Sequence, residues 1–334
     1  MSTLDARGGT AEPASTSFAH HPAIAAALAF AAPADDPDAP APTAPTAAPD
    51  HRVLREQIEA GYAMVGALLP PHPEITRSSH TTRSADGAEI GLEWFSAPGP
   101  PPGPAVVHAH GGGFIGGSTE LFAPFVADYV ARSAVPFLSV NYRLAPQAQD
   151  TAPAEDVFAG LAWLRAHAEQ LGVDPERVAV LGDSAGAGLA AGAAILARER
   201  GVRLARQMLI YPMLDDRTTT DPLLEPFLTI SADFSSTGWR ALLGDAQGSD
   251  TVSPVAAPGR LQDFTGLAPA YIEIGELDLF RQESVAYAQR LWAAGVSTEL
   301  HVRPGLPHGF DNYALGADVT ERAMADRVEA LRAL

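Results

Sequence analysis

The chain has 334 residues and no cysteine. Disulfides, thiolate nucleophiles and cysteine-ligated metal sites are thereby excluded. It has no lysine either, so every one of its 22 basic side chains is arginine. That removes a Ser-Lys dyad, Schiff-base chemistry and the phosphate-loop lysine together. An activated nucleophile must therefore lean on histidine or a carboxylate. Positive charge is scarce as a whole: against 40 acidic residues the formal net charge is −18, and nucleic acid would be repelled. No apolar run is long enough to span a bilayer. The longest, 23–32, follows Asp5, a single Arg7 and two histidines, which is not the basic flank of a leader. It reads as a short amphipathic helix, and the chain as cytoplasmic, without stable membrane insertion.

What is present suits one large α/β domain with a small appendage. Hydrophobic residues make up 46% of the chain, enough for a sizeable core. Residues 1–20 are small and polar and are expected to be flexible. Residues 33–50 form an alanine/proline connector of polyproline character, and the helical spacing of 52–69 ends at Pro70, Pro71 and Pro73. Residues 21–74 are thus expected to supply cap helices joined by a linker. From residue 75 the pattern changes. Strands at 74–83 and 89–95 flank Ala85-Asp86-Gly87, a hairpin signal. Short buried runs follow at 104–108, 135–141, 178–182, 207–211, 270–275 and 298–302, with helical segments at 121–134, 154–172, 185–200, 281–294 and 318–334. This alternation predicts a mostly parallel central sheet flanked by helices, with an antiparallel start. Residues 212–259 break it, and are expected to be an insertion that caps the carboxyl ends of the strands.

The chemistry is organised around Gly182-Asp183-Ser184-Ala185-Gly186, which sits between an apolar strand and a run of helix formers. In that context G-x-S-x-G describes a nucleophile elbow, with the serine on a strained turn and its neighbours necessarily small. His110-Gly111-Gly112-Gly113-Phe114 follows the strand at 104–108. Three consecutive glycines are either a flexible turn or a loop whose N–H groups must approach a developing oxyanion. In the second case Gly112, Gly113 and Ala185 would be the donors. An acid and a base should then follow the nucleophile in that order. Glu276 and Asp278 share the loop after 270–275, and either could serve; Asp278 is favoured. His308 follows the strand at 298–302. It would take the Ser184 proton, and the carboxylate would orient its imidazole. His301 reads as a packed or surface residue and His108 as a strand residue near the glycine loop. Asp215 and Asp216 read as loop and capping residues, not as metal ligands. No metal site is expected. Phe114, Phe227 and Trp239 are candidate pocket walls or, equally, core aromatics.

Together these motifs resemble the hormone-sensitive-lipase family of bacterial carboxylesterases. The resemblance covers most of 75–334 and includes Asn141-Tyr142-Arg143-Leu144-Ala145-Pro146, Pro153 to Asp156, Tyr211-Pro212 and Pro307 to Phe310. It implies an α/β-hydrolase fold with a helical cap, a Ser184–His308–Asp278 triad, ester hydrolysis through an acyl-enzyme, and no cofactor. The implied partner is a small-molecule ester, with the chain as monomer or homodimer. A lactonase, an amidase or, less readily, a non-catalytic ligand receptor would use the same scaffold. Asn141, Gln147, Leu279 and Gln282 depart from the family's usual residues.

Overall fold

A computed structural model describes residues 17–31, 50–99 and 103–334. Of the expected flexible segment only residues 17–20 are among these, and of the alanine/proline connector only Asp50. Two helices come first, α1 (Pro22–Ala31) and α2 (His51–Gly66). The hairpin β1 (Thr76–Arg83) and β2 (Glu89–Ser96) follows, then β3 (Gly103–Ala109), α3 (Ala123–Ser133) and β4 (Phe137–Asn141). Next are α4 (Ala152–Ala166), the short α5 (Ala168–Leu171), β5 (Val173–Asp183), α6 (Ala185–Glu199), β6 (Arg206–Ile210) and α7 (Ala232–Leu243). The chain ends with β7 (Ala270–Gly275), α8 (Arg281–Ala293), β8 (Thr298–Arg303), the short α9 (Phe310–Tyr313) and α10 (Asp318–Arg332).

The eight strands form one sheet in the order β1-β2-β4-β3-β5-β6-β7-β8. The β1–β2 and β2–β4 pairs are antiparallel and the rest parallel. Helices α4 and α6 pack together, as do α3 and α10, so the sheet lies between two helical layers. Strand composition follows from this layering. β7, covered on both faces, is buried throughout, whereas the edge strand β1 is polar and largely exposed. Thirteen of the fifteen α6 residues are buried, and most are alanine or glycine. Small side chains let this helix lie close to the sheet and carry the tight turn at Ser184 at its start.

The first described residues bear on two expectations. Residues 18–20 are docked: His20 Nε2 lies 2.9 Å from the Phe227 carbonyl, and the Phe18 ring meets Phe227 edge-on. Helix α1 is not cleanly amphipathic, because Ile24 is fully buried while Phe30 is 94% exposed. Helix α2 is capped by Asp50, which accepts from the Arg52 N–H at 2.8 Å. From this helix Arg55 donates to the carbonyls of Ile115 and Ala145. From α7, Phe234 packs beside Gly113. Both helices therefore lie over the loops that leave the carboxyl ends of β3 and β4.

Candidate active site

Ser184 has φ 54° and ψ −121°, a conformation that non-glycine residues rarely hold. Such strain costs on the order of 1–3 kcal/mol and persists only when the surroundings enforce it. Here the Ser184 N–H donates to Ile210 O at 2.9 Å, and its carbonyl accepts from Ala187, Gly188 and Met213. A Cβ on Gly182 would strike the Gly186 carbonyl, and one on Gly186 would strike the carbonyls of Ala109 and His110. The two glycines are therefore what lets β5 turn directly into α6.

Ser184 Oγ lies 2.9 Å from His308 Nε2, and His308 Nδ1 lies 2.8 Å from Asp278 Oδ2. The carboxylate at Nδ1 assigns the proton to that nitrogen and leaves Nε2 free to accept from the serine. Asp278 is fully buried, and its Oδ1 accepts from the Phe280 N–H at 2.8 Å. The imidazole is held edge-on by Tyr211 and Phe280, with ring centroids 5.0 and 5.1 Å away. Thr229, between β6 and α7, donates to the His308 carbonyl at 2.9 Å. The loops carrying Asp278 and His308 are paired to one another, Glu276 N to Arg303 O at 2.9 Å and Leu277 N to Leu306 O at 3.0 Å. Glu276 is spent on the Gly305 N–H at 3.0 Å, which leaves Asp278 facing the imidazole.

In the glycine loop Gly112 has φ 124° and Gly113 φ 60°, and a Cβ on Gly112 would strike the Gly116 carbonyl. The Gly112 carbonyl accepts from Ile115 and Gly116, which closes the turn. Among the described residues the buried N–H groups of Gly112, Gly113 and Ala185 have no acceptor. Buried donors left this way call for an explanation. His110 is stacked on Tyr142, whose hydroxyl donates to the His110 carbonyl at 2.8 Å. Burial pushes its pKa down to about 3, so this imidazole is neutral and fixes the loop without carrying charge.

The remaining candidates separate clearly. Phe114 and Trp239 are 0% and 1% exposed and pack against one another at 4.8 Å, in the core under the loop, the second of the two readings that the sequence left open. Phe227 is occupied by Phe18 and His20. Phe234 packs against Gly113, and the Tyr62 hydroxyl lies near Gly111. His108 is buried, with Nδ1 3.0 Å from Ser139 Oγ, and His301 lies 2.7 Å from Glu299. Asp215 holds Arg217 and Asp216 holds Arg260. No group of three or more potential metal ligands occurs among the described residues. The departures from the family pattern leave Arg143 fixed, by Asp156 at 2.7 and 2.9 Å and Asp86 at 2.7 Å.

Behind His308 lies a buried ionic network that the sequence reading missed. Arg327 of α10, 2% exposed, donates to Glu273 of β7 and to Asp311 at 2.6 Å. Arg303 of β8 donates to the other Glu273 oxygen at 2.5 and 2.8 Å. The Tyr211 hydroxyl donates to Asp311 at 3.0 Å. One carboxylate thus ties together the two strands from which the acid and base loops emerge, and Arg327 carries that tie to the residues beside the imidazole.

This is the α/β-hydrolase fold, with a hydroxyl, an imidazole and a buried carboxylate in line at the carboxyl ends of its strands. A family description of the α/β-hydrolase fold matches residues 106–312. The chain belongs to that family, in its hormone-sensitive-lipase-like branch of bacterial carboxylic ester hydrolases. It is similar to carboxylesterase NlhH of Mycobacterium tuberculosis, with 36% identity over 244 residues, 69% of this chain and 75% of that one. It is also similar to an ethyl acetate hydrolase of Pseudomonas putida, with 29% identity over 83% of this chain and 88% of that one. Among solved structures it resembles a bacterial heroin esterase, with a TM-score of 0.82 and 34% identity over 94% of this chain and 97% of that one. No helix among the described residues is long and apolar enough to cross a membrane.

Proposed function

We propose that this chain hydrolyses short- to medium-chain acyl esters through an acyl-enzyme. Ser184 Oγ attacks the ester carbonyl while His308 Nε2 takes its proton, and Asp278 stabilises the resulting imidazolium. The oxyanion is held by the N–H groups of Gly112, Gly113 and Ala185. Collapse breaks the bond to the alkoxy oxygen, which leaves as the alcohol with the proton from His308. Water, deprotonated by the same imidazole, then attacks the acyl-serine, and the carboxylic acid departs as Ser184 regains its proton.

The reading rests on one observation: a 2.9 and 2.8 Å relay of hydroxyl, imidazole and buried carboxylate. The three unused donors beside it lend further support. A p-nitrophenyl ester series from acetate to octanoate, with fluorophosphonate labelling, tests it. Ser184→Ala should lose turnover by several orders of magnitude and all labelling, with an unchanged melting temperature. Near-normal turnover in that variant would end the proposal.

A further inference from the structure

A cavity of about 80 Å³ lies beside the catalytic residues; Ser184 and His308 do not line it. It is bounded by Asp183, the residue before the nucleophile, and by Tyr211, whose ring meets His308. The rings of Tyr62, Phe122 and Phe125 also line it. Its charges are unevenly matched. Arg132 in the wall is held by Asp128 at 2.8 Å and Glu321 at 2.7 Å, and Arg327 by Glu273 and Asp311. Each guanidinium is therefore already matched by two carboxylates.

Asp183 has no such partner. Its side chain is 14% exposed and, among the described residues, neither oxygen accepts a hydrogen bond; the nearest cationic candidate, His108 Nε2, is 3.7 Å away, beyond hydrogen-bond distance. The Tyr62 hydroxyl is likewise without a partner among the described residues, and its pKa is raised by burial and by the neighbouring Asp183. Independently, Thr320 lines the same cavity. It is 5% exposed, and its Oγ1 bonds to nothing among the described residues. A poorly solvated carboxylate next to aromatic rings is unfavourable alone and favourable with a cation, since the rings attract positive charge and the carboxylate neutralises it.

We propose that this cavity is a subsite for a compact alkylammonium group of the substrate, selected by Asp183 and the surrounding rings. The inference rests on the esterase reading and narrows it to esters that carry a basic amine near the scissile bond. The chain's net charge of −18 would draw such substrates toward the site.

The test uses the full chain and two probes of similar shape, tetramethylammonium chloride and tert-butanol, at an ionic strength fixed with sodium chloride. Each is titrated as an inhibitor of p-nitrophenyl acetate hydrolysis and followed by ligand-observed NMR. Tetramethylammonium should bind the wild type at least about tenfold more tightly than tert-butanol. In Asp183→Asn the ratio should fall to about one; taking it within each variant cancels any effect on the chemical step. Tyr62→Leu, on the cap helix, should weaken tetramethylammonium several-fold and leave tert-butanol unchanged, which serves if Asp183→Asn does not fold. Equal affinities in the wild type, or a preference that survives both substitutions, overturns the subsite. If the ester is not turned over, the esterase reading fails, and the NMR titration still reads the subsite.

Discussion

Replacing Arg327 by methionine keeps the bulk of a buried side chain and deletes its charge. The guanidinium is 2% exposed and holds Glu273, Asp311 and the Tyr129 hydroxyl. Removing one partner of a buried ion pair typically costs about 3–5 kcal/mol, because the other charge is stranded. The low end applies here. Glu273 keeps Arg303, whereas Asp311 is left with only the Tyr211 hydroxyl. We expect a loss of about 3 kcal/mol, read as a fall of about 4 °C in melting temperature for a chain of this size. The same cause predicts a partial rescue. In Arg327→Met with Asp311→Asn the stranded charge is gone, so the double variant should be more stable than the sum of the singles by about 1.5 kcal/mol or more. Turnover should also fall well below the melting transition, since the Tyr211 ring that borders His308 is fixed through Asp311. Calorimetry and p-nitrophenyl acetate kinetics on the three variants decide it. A drop under 2 °C, or strictly additive singles, would refute the idea that this network braces the site.

Gly112→Ala places a methyl against the Gly116 carbonyl and should displace the proposed oxyanion donors, lowering kcat by about 10²–10³ with a far smaller change in KM; ester kinetics beside a melting curve separate this from misfolding. Glu283 supplies a pH-dependence of stability. Its carboxyl accepts from the Leu214 N–H and the Thr218 hydroxyl, and burial, with Asp215 nearby, pushes its pKa up to about 8. Because the folded state holds this proton more tightly, the contribution is complete below the unfolded pKa of about 4.3 and is lost as pH rises through about 8. Glu283→Gln should therefore flatten the decline in melting temperature between pH 5 and 9, and an unchanged decline would assign it to other groups.

What could be read from the sequence was whatever local pattern decides. The buried part of β5 is covered on both faces, so it appears as an unbroken apolar run, and β7 does the same but for Glu273. The elbow and the glycine loop were legible because glycine marks places where no Cβ fits, and the collisions at Gly182, Gly186 and Gly112 show why. The choice of Asp278 over Glu276 was favoured by motif but depends on which carboxylate the β8 loop engages, a contact across the sheet. Aromatic walls were not legible. Phe114 and Trp239 are consumed by each other, while Tyr62 and Phe234 reach the loop only because α2 and α7 fold over it from distant segments. The ionic brace was the least visible. Helix α10 reads as a surface helix with mixed charges, and Glu273 as a single polar residue in an apolar strand. Their pairing exists only because α10 lies against the end of β7 where the acid loop begins, with Arg303 on the adjoining strand. The same reasoning bears on Asp183. Within the motif it reads as the spacer between a required glycine and the serine, yet α2 brings Tyr62 beside it and the sheet offers it only the His108 imidazole, 3.7 Å away. The catalytic chemistry is thus encoded by short-range spacing, whereas the charge state of the surrounding walls, which would select among substrates, emerges only when distant segments close over it.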